Sequence, residues 1–559
     1  MEYNLADLFE LAVDTFADRE YLVADGVRRT YGELEARANR LAHHLAAEGV
    51  GPGDHVGIYA YNRVEWVETL WAVFKLRAVW ININYRYVAD ELRYLFENSD
   101  VVAMVVERQF APRVAALASA LPKLRHLVIV DDSSGAEIPA AVEGMSISLF
   151  EEALAAHSPD RDFGPRSPDD RYILFTGGTT GLPKGVVWRH EDVLFALGGG
   201  IDALTGERMD HPERLAEKGV AQNFQVTFLP LAPLMHGASQ WAVMGQSFVG
   251  NKIVLIGRFD AAGAWDLVES EKVNSIMMTG DAMARPLIEE LERDPERHDT
   301  SSLLSISSTA AIFSPDVKEA FFTYFPDLVM TDAIGSSESG ANGIVMLRAG
   351  ETAMRGGPTV KPIGDTVVLN EQLHPLPPGS GEIGLLARSG HIPIGYHRDP
   401  EKTERTFLEV DGTRYVITGD LATFEVDGSI TLLGRGSVSI NTGGEKVFPE
   451  EVEAAVKSHP DVYDATVIGV PDERWGQRIA AVVEPRPDRE PTLESIQAHC
   501  RTKIAGYKLP RELHLVDKVV RSPAGKPDYR WALETAAGDR PIHEAAAMSA
   551  DDVRANKGE

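Results

Sequence analysis

The chain has 559 residues, of which 44% are hydrophobic and 25% charged, a composition that excludes a fibrous or wholly disordered protein. At roughly 150 residues per domain, this length predicts several domain-sized units. The 55 Lys and Arg residues against 84 Asp and Glu residues give a net charge of −29. Such an acidic surface repels nucleic acid and anionic membranes, so we expect neither as a partner.

Cys500 is the single cysteine of the sequence, which excludes an intrachain disulfide and a cysteine metal cluster. The N-terminal segment carries acids early and lacks the basic-then-apolar order of a signal peptide. No apolar run approaches the ~18–20 residues needed to span a bilayer. We therefore expect a soluble cytoplasmic protein without stable membrane insertion.

The N-terminal part of the chain alternates helical and strand-like segments. Thr30 and Glu33 have the spacing of a capping box, and apolar residues then recur at helical spacing. His55–Tyr59 and Val101–Val106 have the composition of strands, and Glu68–Leu76 that of a helix. Strand, helix and strand repeated in this way indicate a mostly parallel α/β sheet.

The sequence pattern changes twice in the second half of the chain. Strand candidates at Lys252–Ile256 and Ser275–Met278 continue the α/β pattern, whereas short strands and turns between Pro362 and Leu433 predict a small β-rich subdomain. An α+β pattern follows, and then a polar, Ala-rich end. We predict an N-terminal domain over 1–436, a small C-terminal domain over 437–535 and a flexible tail over 536–559.

A segment rich in glycine and threonine follows the strand-like residues Tyr172–Phe175, and it reads Phe175-Thr-Gly-Gly-Thr-Thr-Gly-Leu-Pro-Lys-Gly185. Glycines let backbone N–H groups approach an anion closely, and hydroxyl and ammonium groups add further donors. This chemistry suits a polyphosphate, although a flexible surface loop is the alternative and the segment is not a Walker A loop. The residues expected to hold phosphate are Thr176, Gly177, Gly178, Thr179, Thr180, Gly181 and Lys184.

The loop resembles that of the adenylate-forming superfamily, which includes acyl-CoA synthetases, luciferases and peptide-synthetase adenylation domains. Other segments resemble superfamily motifs and follow in the superfamily's order: Pro230–Gly237, Asp332–Glu338, Thr418–Asp420, Gly434–Arg435, Gly443–Glu453, Ala505–Pro510 and Ser522–Lys526. The resemblance implies an α/β fold with a large N-terminal domain of two αβ sheet subdomains and a small β-barrel subdomain. It also implies a small, mobile α+β C-terminal domain that swings about a hinge at Ser437.

The same resemblance implies an AMP-forming reaction that uses ATP, Mg²⁺ and coenzyme A. A carboxylate attacks the α-phosphate of ATP to give acyl-AMP and pyrophosphate, and a thiolate then displaces AMP. Because a carboxylate and a triphosphate repel each other, such a site must neutralise charge in a dry pocket. By resemblance, the catalytic residues are Lys526, His236, Glu338 and Arg435.

The implied roles of these residues differ. Lys526 neutralises phosphate in the first step, and Glu338, assisted by Thr176, offers the hard oxygen ligands that Mg²⁺ prefers. His236 orients or gates the acid rather than serving as a base, because a carboxylate is already ionised at pH 7. The nucleotide and CoA contacts are completed by Asp332, Ser337, Asp420, Arg435, Gly443 and Gly444.

Three positions depart from the superfamily pattern. Ile334 replaces the usual tyrosine, Ser337 replaces threonine, and Ser437 stands where the hinge usually has Asp or Lys. Because stacking of a base on an aromatic ring is worth ~1–3 kcal/mol, we expect weakened nucleotide affinity. An enzyme specialised for thioesterification of a preformed acyl-adenylate is therefore an alternative.

The motifs are most similar to a bacterial acyl-CoA synthetase branch acting on steroid side chains and other bulky acids, notably over Thr279–Pro286, Ser308–Ala311 and Gly434–Gly444. We therefore predict an acyl-CoA ligase for a steroid, terpenoid or long-chain acid. The expected pocket residues are His236, Gly237, Ala238, Gly280, Ile334, Gly335 and Ser336. Several of them are small and leave room for a ring system, unless neighbouring side chains fill that room.

The acceptor and the oligomeric state stay open at this level. CoA is favoured because no carrier-like attachment segment follows the C-terminal pattern, but loading of a separate carrier protein is an alternative. A luciferase-like oxygenase and a non-catalytic nucleotide-binding protein are further alternatives, the second disfavoured by Lys526, Asp420 and Glu338. The expected partners are the acid and CoA, and a homodimer is left open.

Overall fold

The computed structural model describes residues 3–139, 144–176, 183–202, 205–311, 313–351, 358–435, 438, 440–442, 445–472, 476–521 and 525–538. The helices in these residues are α1 (Leu5–Phe16), α2 (Tyr31–Ala47), α3 (Val64–Lys75), α4 (Ala89–Ser99), α5 (Ala111–Ala116), α6 (Phe150–Ala155), α7 (His190–Ala196), α8 (Arg214–Ala221), α9 (Gly237–Phe248), α10 (Ala261–Glu271), α11 (Asp281–Arg293), α12 (Pro315–Tyr324), α13 (Pro400–Thr406), α14 (Pro449–Lys457), α15 (Leu493–Cys500) and α16 (Tyr529–Ala536).

The strands form three sheets. Their bounds are β1 (Glu20–Ala24), β2 (Val27–Thr30), β3 (His55–Tyr59), β4 (Val79–Asn82), β5 (Val101–Glu107), β6 (His126–Val130), β7 (Ser146–Leu149), β8 (Arg171–Thr176), β9 (Lys184–Arg189), β10 (Thr227–Pro230), β11 (Lys252–Leu255), β12 (Ser275–Met278), β13 (Ser305–Thr309), β14 (Val329–Ser336), β15 (Gly340–Leu347), β16 (Thr359–Pro362), β17 (Thr366–Leu369), β18 (Ile383–Arg388), β19 (Gly395–Tyr396), β20 (Phe407–Val410), β21 (Thr413–Phe424), β22 (Ile430–Arg435), β23 (Ile440–Thr442), β24 (Glu445–Val447), β25 (Val462–Asp472), β26 (Gly476–Pro485) and β27 (Glu512–Leu515).

The first sheet has the strand order β19-β9-β8-β4-β3-β5-β6-β7. Its strands from β8 to β7 run parallel, whereas β9 pairs antiparallel with β8 and with β19. Strands β4, β5 and β6 are buried at every residue, because helices cover both faces of such a sheet. The α/β prediction for this part of the chain is confirmed.

The second sheet joins the rest of the large domain. Strands β11, β10, β12, β13 and β14 lie side by side and parallel, and β14 then pairs antiparallel with β15. Through β16 and β22 the same hydrogen-bonded path continues into the β-rich segment that the sequence predicts. That segment has its own small core around Ile334, Val360 and Leu386, and in hydrogen bonding it is an extension of the second sheet.

The third sheet belongs to the small domain, with strand order β24-β23-β26-β25 and β27 beside β26. Helices α14 and α15 pack on it around a separate core that includes Val452, Val467 and Cys500. The sheet begins at β23 and the last helix, α16, ends at Ala536. The predicted hinge residue Ser437 and the tail beyond 538 lie outside the described residues.

Local predictions compare closely with the observed elements. Thr30 and Glu33 form a capping box at the start of α2, and the strands expected at residues 55–59 and 275–278 have those bounds. Helix α3 begins at Val64, four residues before the predicted start. Its N-cap residue, Arg63, makes no side-chain capping bond, so the sequence carries no signal for that boundary.

Candidate active site

The two described ends of the glycine–threonine loop meet at the base of a hairpin. Thr176 ends β8, Lys184 begins β9, and the two residues are paired directly across the hairpin. The Lys184 ammonium group lies 2.6 Å from the carboxylate of Asp399, the N-cap residue of α13, and this hydrogen bond raises the pKa of Lys184. Five residues of the predicted phosphate loop, Gly177, Gly178, Thr179, Thr180 and Gly181, lie outside the described residues.

Strand β14 contributes one wall of the candidate site. The carboxylate of Asp332 forms an ion pair with Lys318 of α12, whose side chain is fully buried. Burial raises the pKa of Asp332 despite the attraction of this lysine. The carboxylate that the sequence assigns to the nucleotide is therefore already paired within the protein.

The turn after β14 holds the predicted metal ligand. The Glu338 carboxylate accepts a hydrogen bond of 3.0 Å from the hydroxyl of Tyr396, and the neighbouring Ser337 carbonyl accepts one of 3.0 Å from the Trp188 indole. In the described part of the chain, no group of three or more His, Cys, Asp or Glu side chains is arranged to hold a metal ion. A single carboxylate suits a magnesium ion that brings its other ligands with it, as phosphate oxygens and water.

His236 is the N-cap residue of α9. Burial, and after it the positive charges of Arg86 and Lys526, lowers the pKa of its imidazole to about 4. The ring is therefore neutral at pH 7, and its buried Nε2 atom has no hydrogen-bond partner among the described residues. The charges of Arg86 in the large domain and Lys526 in the small domain both disfavour protonation of this ring.

Asp420 and Arg435 lie opposite each other on the paired strands β21 and β22. The Asp420 carboxylate accepts a hydrogen bond of 2.5 Å from the Thr418 hydroxyl. The pairing places the backbone of Arg435 beside Asp420, but the side chain of Arg435 is not among the described parts of the structure, nor are Gly443 and Gly444.

Lys526 follows a glycine that touches the large domain. Gly525 has φ +75°, in the left-handed region, and a Cβ at this position would lie 3.6 Å from that of Ala282 and 3.7 Å from the Thr279 carbonyl oxygen. Thr279 lies in the loop that leads into α11, and Ala282 lies in the first turn of that helix. The small domain is thus docked with its lysine loop against the large domain.

A cavity of about 1030 Å³ lies between the two domains, at the upper end of the range for ligand sites. Six of the predicted residues line it: Asp332, Ile334, Gly335, Ser336, Asp420 and Lys526. The described members of the prediction that are not in its lining are Thr176, Lys184, His236, Gly237, Ala238, Gly280, Ser337 and Glu338. The cavity therefore brings Asp420 and part of β14 together with the lysine of the small domain, and only Ile334, Gly335 and Ser336 of the predicted acid pocket line it.

Gly237 and Gly335, two of the small residues expected to leave room for the acid, are instead required by the close packing of neighbouring atoms. A Cβ at Gly237 would overlap the side chains of Leu174 and Trp241, and one at Gly335 would overlap the Gly340 carbonyl oxygen across the hairpin. Gly335 sits at an irregularity in the β14–β15 pairing. Neighbouring atoms fill the space at both positions, which was the alternative open from the sequence.

Comparison with known families decides the class of the protein. Residues 9–396 match the family described as AMP-binding enzyme, and residues 451–526 match the family described as AMP-binding enzyme C-terminal domain. The chain belongs to the AMP-binding enzyme family. The resemblance drawn from the ordered motifs is confirmed.

Curated relatives of this AMP-binding enzyme match it from end to end. The chain is 50% identical over 97% of its length to a 3-oxocholest-4-en-26-oate–CoA ligase of Rhodococcus rhodochrous, covering 98% of that protein. It is 48% identical to a medium/long-chain-fatty-acid–CoA/3-oxocholest-4-en-26-oate–CoA ligase of Mycolicibacterium smegmatis, with all of both chains covered. These relatives are the steroid-acid branch that the motifs resemble.

Solved structures support the fold of this AMP-binding enzyme. The anthranilate CoA ligase AuaEII in complex with anthranoyl-AMP has a TM-score of 0.80 at 24% identity, with 96% of this chain and 98% of that chain covered. ATP-bound MatB from Rhodopseudomonas palustris has a TM-score of 0.78 at 24% identity, with 95% and 98% covered. Among the described residues, no helix combines the length and the apolar character needed to cross a bilayer.

Some residues at the site of this AMP-binding enzyme escaped the sequence reasoning. Arg86 lies in the loop between β4 and α4, and its charge acts on His236. Lys318 neutralises Asp332 from a helix that carries no motif. These cations reach the site only in the folded protein. A single basic residue outside a motif does not predict a position near an active site.

Proposed function

We propose that this AMP-binding enzyme is an acyl-CoA ligase that converts a bulky hydrophobic carboxylic acid into its CoA thioester through an acyl-AMP intermediate. The observation that carries the proposal is the position of Lys526, which lines the interdomain cavity together with Asp420 and Ile334. A mobile cation beside a nucleotide-sized space is what the first half-reaction requires. Relatives named as steroid-acid and fatty-acid CoA ligases support the acid class.

In the first step, a carboxylate oxygen of the acid attacks the α-phosphorus of MgATP. The bond from that phosphorus to the bridging oxygen of the β-phosphate breaks, and pyrophosphate leaves with the electron pair. Lys526 stabilises the charge that builds up on the α-phosphate, and Asp420 accepts hydrogen bonds from the ribose hydroxyls. Glu338 would hold the magnesium ion through a carboxylate oxygen, and the ion would supply further positive charge to the phosphates. Preorganised charges of this kind act most strongly in a water-excluded site.

His236 and Arg86 complete the charge balance where the acid enters. Because the imidazole of His236 stays neutral at pH 7, it can donate or accept one hydrogen bond without competing with Lys526 for the carboxylate. Arg86 adds a permanent positive charge near the same ring, which attracts the anionic acid toward the phosphate. The histidine thus orients the acid rather than removing a proton from it.

In the second step, the thiolate of CoA attacks the acyl carbon, the bond from that carbon to the phosphate oxygen breaks, and AMP leaves. Lys526 has no role in this step, so the small domain rotates about the segment around Ser437 and replaces the lysine loop with that of Gly443 and Gly444. Without side chains, these glycines leave space for the pantetheine arm. The reaction draws on ATP and CoA of the cytoplasm, where we place the enzyme.

The test is a screen that scores the two half-reactions separately. Purified enzyme is given MgATP and 3-oxocholest-4-en-26-oate, hexadecanoate or acetate, first without and then with CoA. We expect pyrophosphate release with the two large acids and the CoA thioester by mass spectrometry once CoA is present. Release with acetate alone would contradict the acid class, and thioester formation only from a supplied acyl-AMP would instead support the thioesterification specialist.

The carrier-protein alternative needs a separate acceptor. A fatty acid–[acyl-carrier-protein] ligase of Streptomyces coeruleorubidus is 28% identical to this chain, well below the CoA ligases. The same assay with CoA replaced by a phosphopantetheinylated carrier protein discriminates between the two acceptors. We expect efficient transfer to CoA, and transfer to the carrier alone would reassign the acceptor.

A further inference from the structure

One buried ion pair connects the two domains. The Nζ atom of Lys457, at the end of α14 in the small domain, lies 3.1 Å from the Oδ2 atom of Asp281, the first residue of α11 in the large domain. Lys457 is 3% exposed and Asp281 9% exposed. Both charged groups are thus largely removed from solvent while the domains are docked, at the edge of the interdomain cavity.

The large domain holds Asp281 in place for this contact. Its other carboxylate oxygen accepts hydrogen bonds from the Ser314 backbone N–H at 2.8 Å and the Ser314 hydroxyl at 3.0 Å. Burial disfavours the ionised carboxylate, but the attraction of Lys457 and then of Arg285 outweighs it, so the pKa of Asp281 is lowered. Asp281 is thus an ionised, oriented acid whose direct partner on the small domain is Lys457.

Arg521 holds the lysine loop of the small domain and lines the same cavity as Asp281 and Lys457. Its guanidinium forms two hydrogen bonds of 2.6 Å with Asp464, and the charge of Asp281 is among the causes that raise its pKa. Arg521 also donates a hydrogen bond of 3.3 Å to the Gly525 carbonyl oxygen, one residue before Lys526. Arg521 therefore ties the Lys526 loop to Asp464 within the small domain.

We propose that Lys457 and Asp281 are positioning residues that hold the small domain in the arrangement that forms the adenylate. This inference rests on the proposed function. Removing one partner of a buried ion pair is strongly destabilising. Either single substitution therefore destabilises the docked, adenylate-forming arrangement of the domains and not the rotated one. When the small domain rotates for the thioester step, the Lys457 ammonium and the Asp281 carboxylate are hydrated, and water replaces the stabilisation that each gave the other.

The experiment compares the two half-reactions in Lys457→Met, which keeps an unbranched side chain without the charge. Pyrophosphate release with 3-oxocholest-4-en-26-oate measures the first step, and thioester formation from the chemically prepared acyl-AMP measures the second. We expect the first step to slow by roughly tenfold or more, since the Asp281 charge loses its partner, and the second to stay within about twofold, since the pair is apart there. Asp281→Asn should give the same pattern, and the double variant should cost less than the sum of the two.

The controls separate positioning from simple misfolding. Lys518→Met removes an exposed lysine of the same domain and should leave both steps unchanged, and Lys457→Arg should restore part of the first step. If both half-reactions of Lys457→Met fall equally together with its melting temperature, the pair is merely structural and the proposal is overturned. An unchanged first step would also overturn it.

A readout without substrate distinguishes failure of this inference from failure of the proposed function. Dyes on Asp327→Cys and Glu490→Cys, two exposed positions in different domains, report the distance between the domains. The native Cys500 does not interfere, because it is buried and burial raises its pKa to about 11. Lys457→Met should shift energy transfer toward the separated state, and an unshifted value would contradict the proposal. If no acid is activated by the unsubstituted enzyme, the proposed function fails while this measurement still decides the role of the pair.

Discussion

The carboxyl group of Glu450 fills the space beside the Cα atom of Gly434, where any side chain at residue 434 would have to lie. Gly434 has φ +109°, a conformation that residues with a side chain rarely adopt. The contact joins β22 of the large domain to the first turn of α14 in the small domain. The docked arrangement therefore buries an acid directly at the connection between the domains.

This acid predicts a pH dependence of the first half-reaction. Burial raises the pKa of Glu450 from 4.5 to about 8, helped by the neighbouring charges of Glu453 and Asp420. The docked arrangement binds the Glu450 proton more tightly than an open arrangement. This proton therefore stabilises docking fully below about pH 4.5, and the stabilisation is lost as the pH rises through about 8. We expect pyrophosphate release to fall more steeply than thioester formation from acyl-AMP as the pH rises toward 8, and the ratio of the two rates to level off above about pH 8.

The matched variant for this prediction is Glu450→Gln, which keeps the shape and removes the titration. Its ratio of first-step to second-step rates should be flat between pH 7 and 9. Glu494→Gln, which alters an exposed acid of α15, should retain the pH dependence of the unsubstituted enzyme. A slope that survives in Glu450→Gln would assign the effect to another group.

Substitution of Lys526 by alanine tests the cation itself. We expect the rate of pyrophosphate release to fall by about 100- to 1000-fold, the usual cost of one lost electrostatic contact to a transition state. Thioester formation from supplied acyl-AMP should persist, because the lysine acts only in the first step. Stopped-flow release assays measure both, with Lys518→Ala as the control, and a first step of unchanged rate would remove Lys526 from the mechanism.

How much of this site could be predicted depends on whether a residue acts through a motif or through packing. The turn of Glu338 and the loop of Lys526 are short contiguous patterns, so their residues could be named before the fold was known. The partner of Asp332 could not, because Lys318 reaches it from α12 only after that helix packs against β14. Asp281 lies in the segment Thr279–Pro286, which resembles the steroid-acid branch. Its contact with Lys457 could not be predicted, because the two positions are 176 residues apart.

The fold followed the same division. Short, mostly apolar segments predicted β3 and β12 with their observed bounds, because a buried strand is a short apolar run. The second sheet extends through β16 by only two residue pairs with β15, one of which is Gly343 with Pro362. Pairing of that kind carries no periodic signal, so the residue pattern predicted a small β-rich subdomain without its connection to the second sheet.

Replacing Ile334 by tyrosine tests the missing aromatic contact. Ile334 is 8% exposed, packs in the core of the β-rich segment and lines the interdomain cavity. A tyrosine ring can extend into that cavity and stack on adenine, a contact worth ~1–3 kcal/mol. We expect tighter AMP binding by calorimetry in Ile334→Tyr. Ile334→Leu, a change of shape without a ring, is the control, and equal affinities in both variants would show that adenine does not lie against this wall.

A pair of histidines far from the cavity predicts how the fold responds to acid. The Nε2 atoms of His44 and His126 lie 2.9 Å apart, so one ring must donate and the other accept, and the two cannot both be charged without repulsion. Burial, and then the neighbouring His126 and His157, lowers the pKa of His44 to about 4. Glu48 also faces the cluster and offsets this only in part.

The sign of the effect follows from the lowered pKa. Below pH 6.5 the unfolded chain binds a proton at His44 that the folded chain binds only near pH 4, so stability is complete above about 6.5 and falls as the pH drops. At 1.36 kcal/mol per pH unit, His44 accounts for about 2 kcal/mol of the loss between pH 7.5 and 5. Urea unfolding at the two pH values should show this difference shrinking in His44→Gln but not in His374→Gln, which alters an exposed histidine. An equal pH response in both variants would contradict the role of the pair.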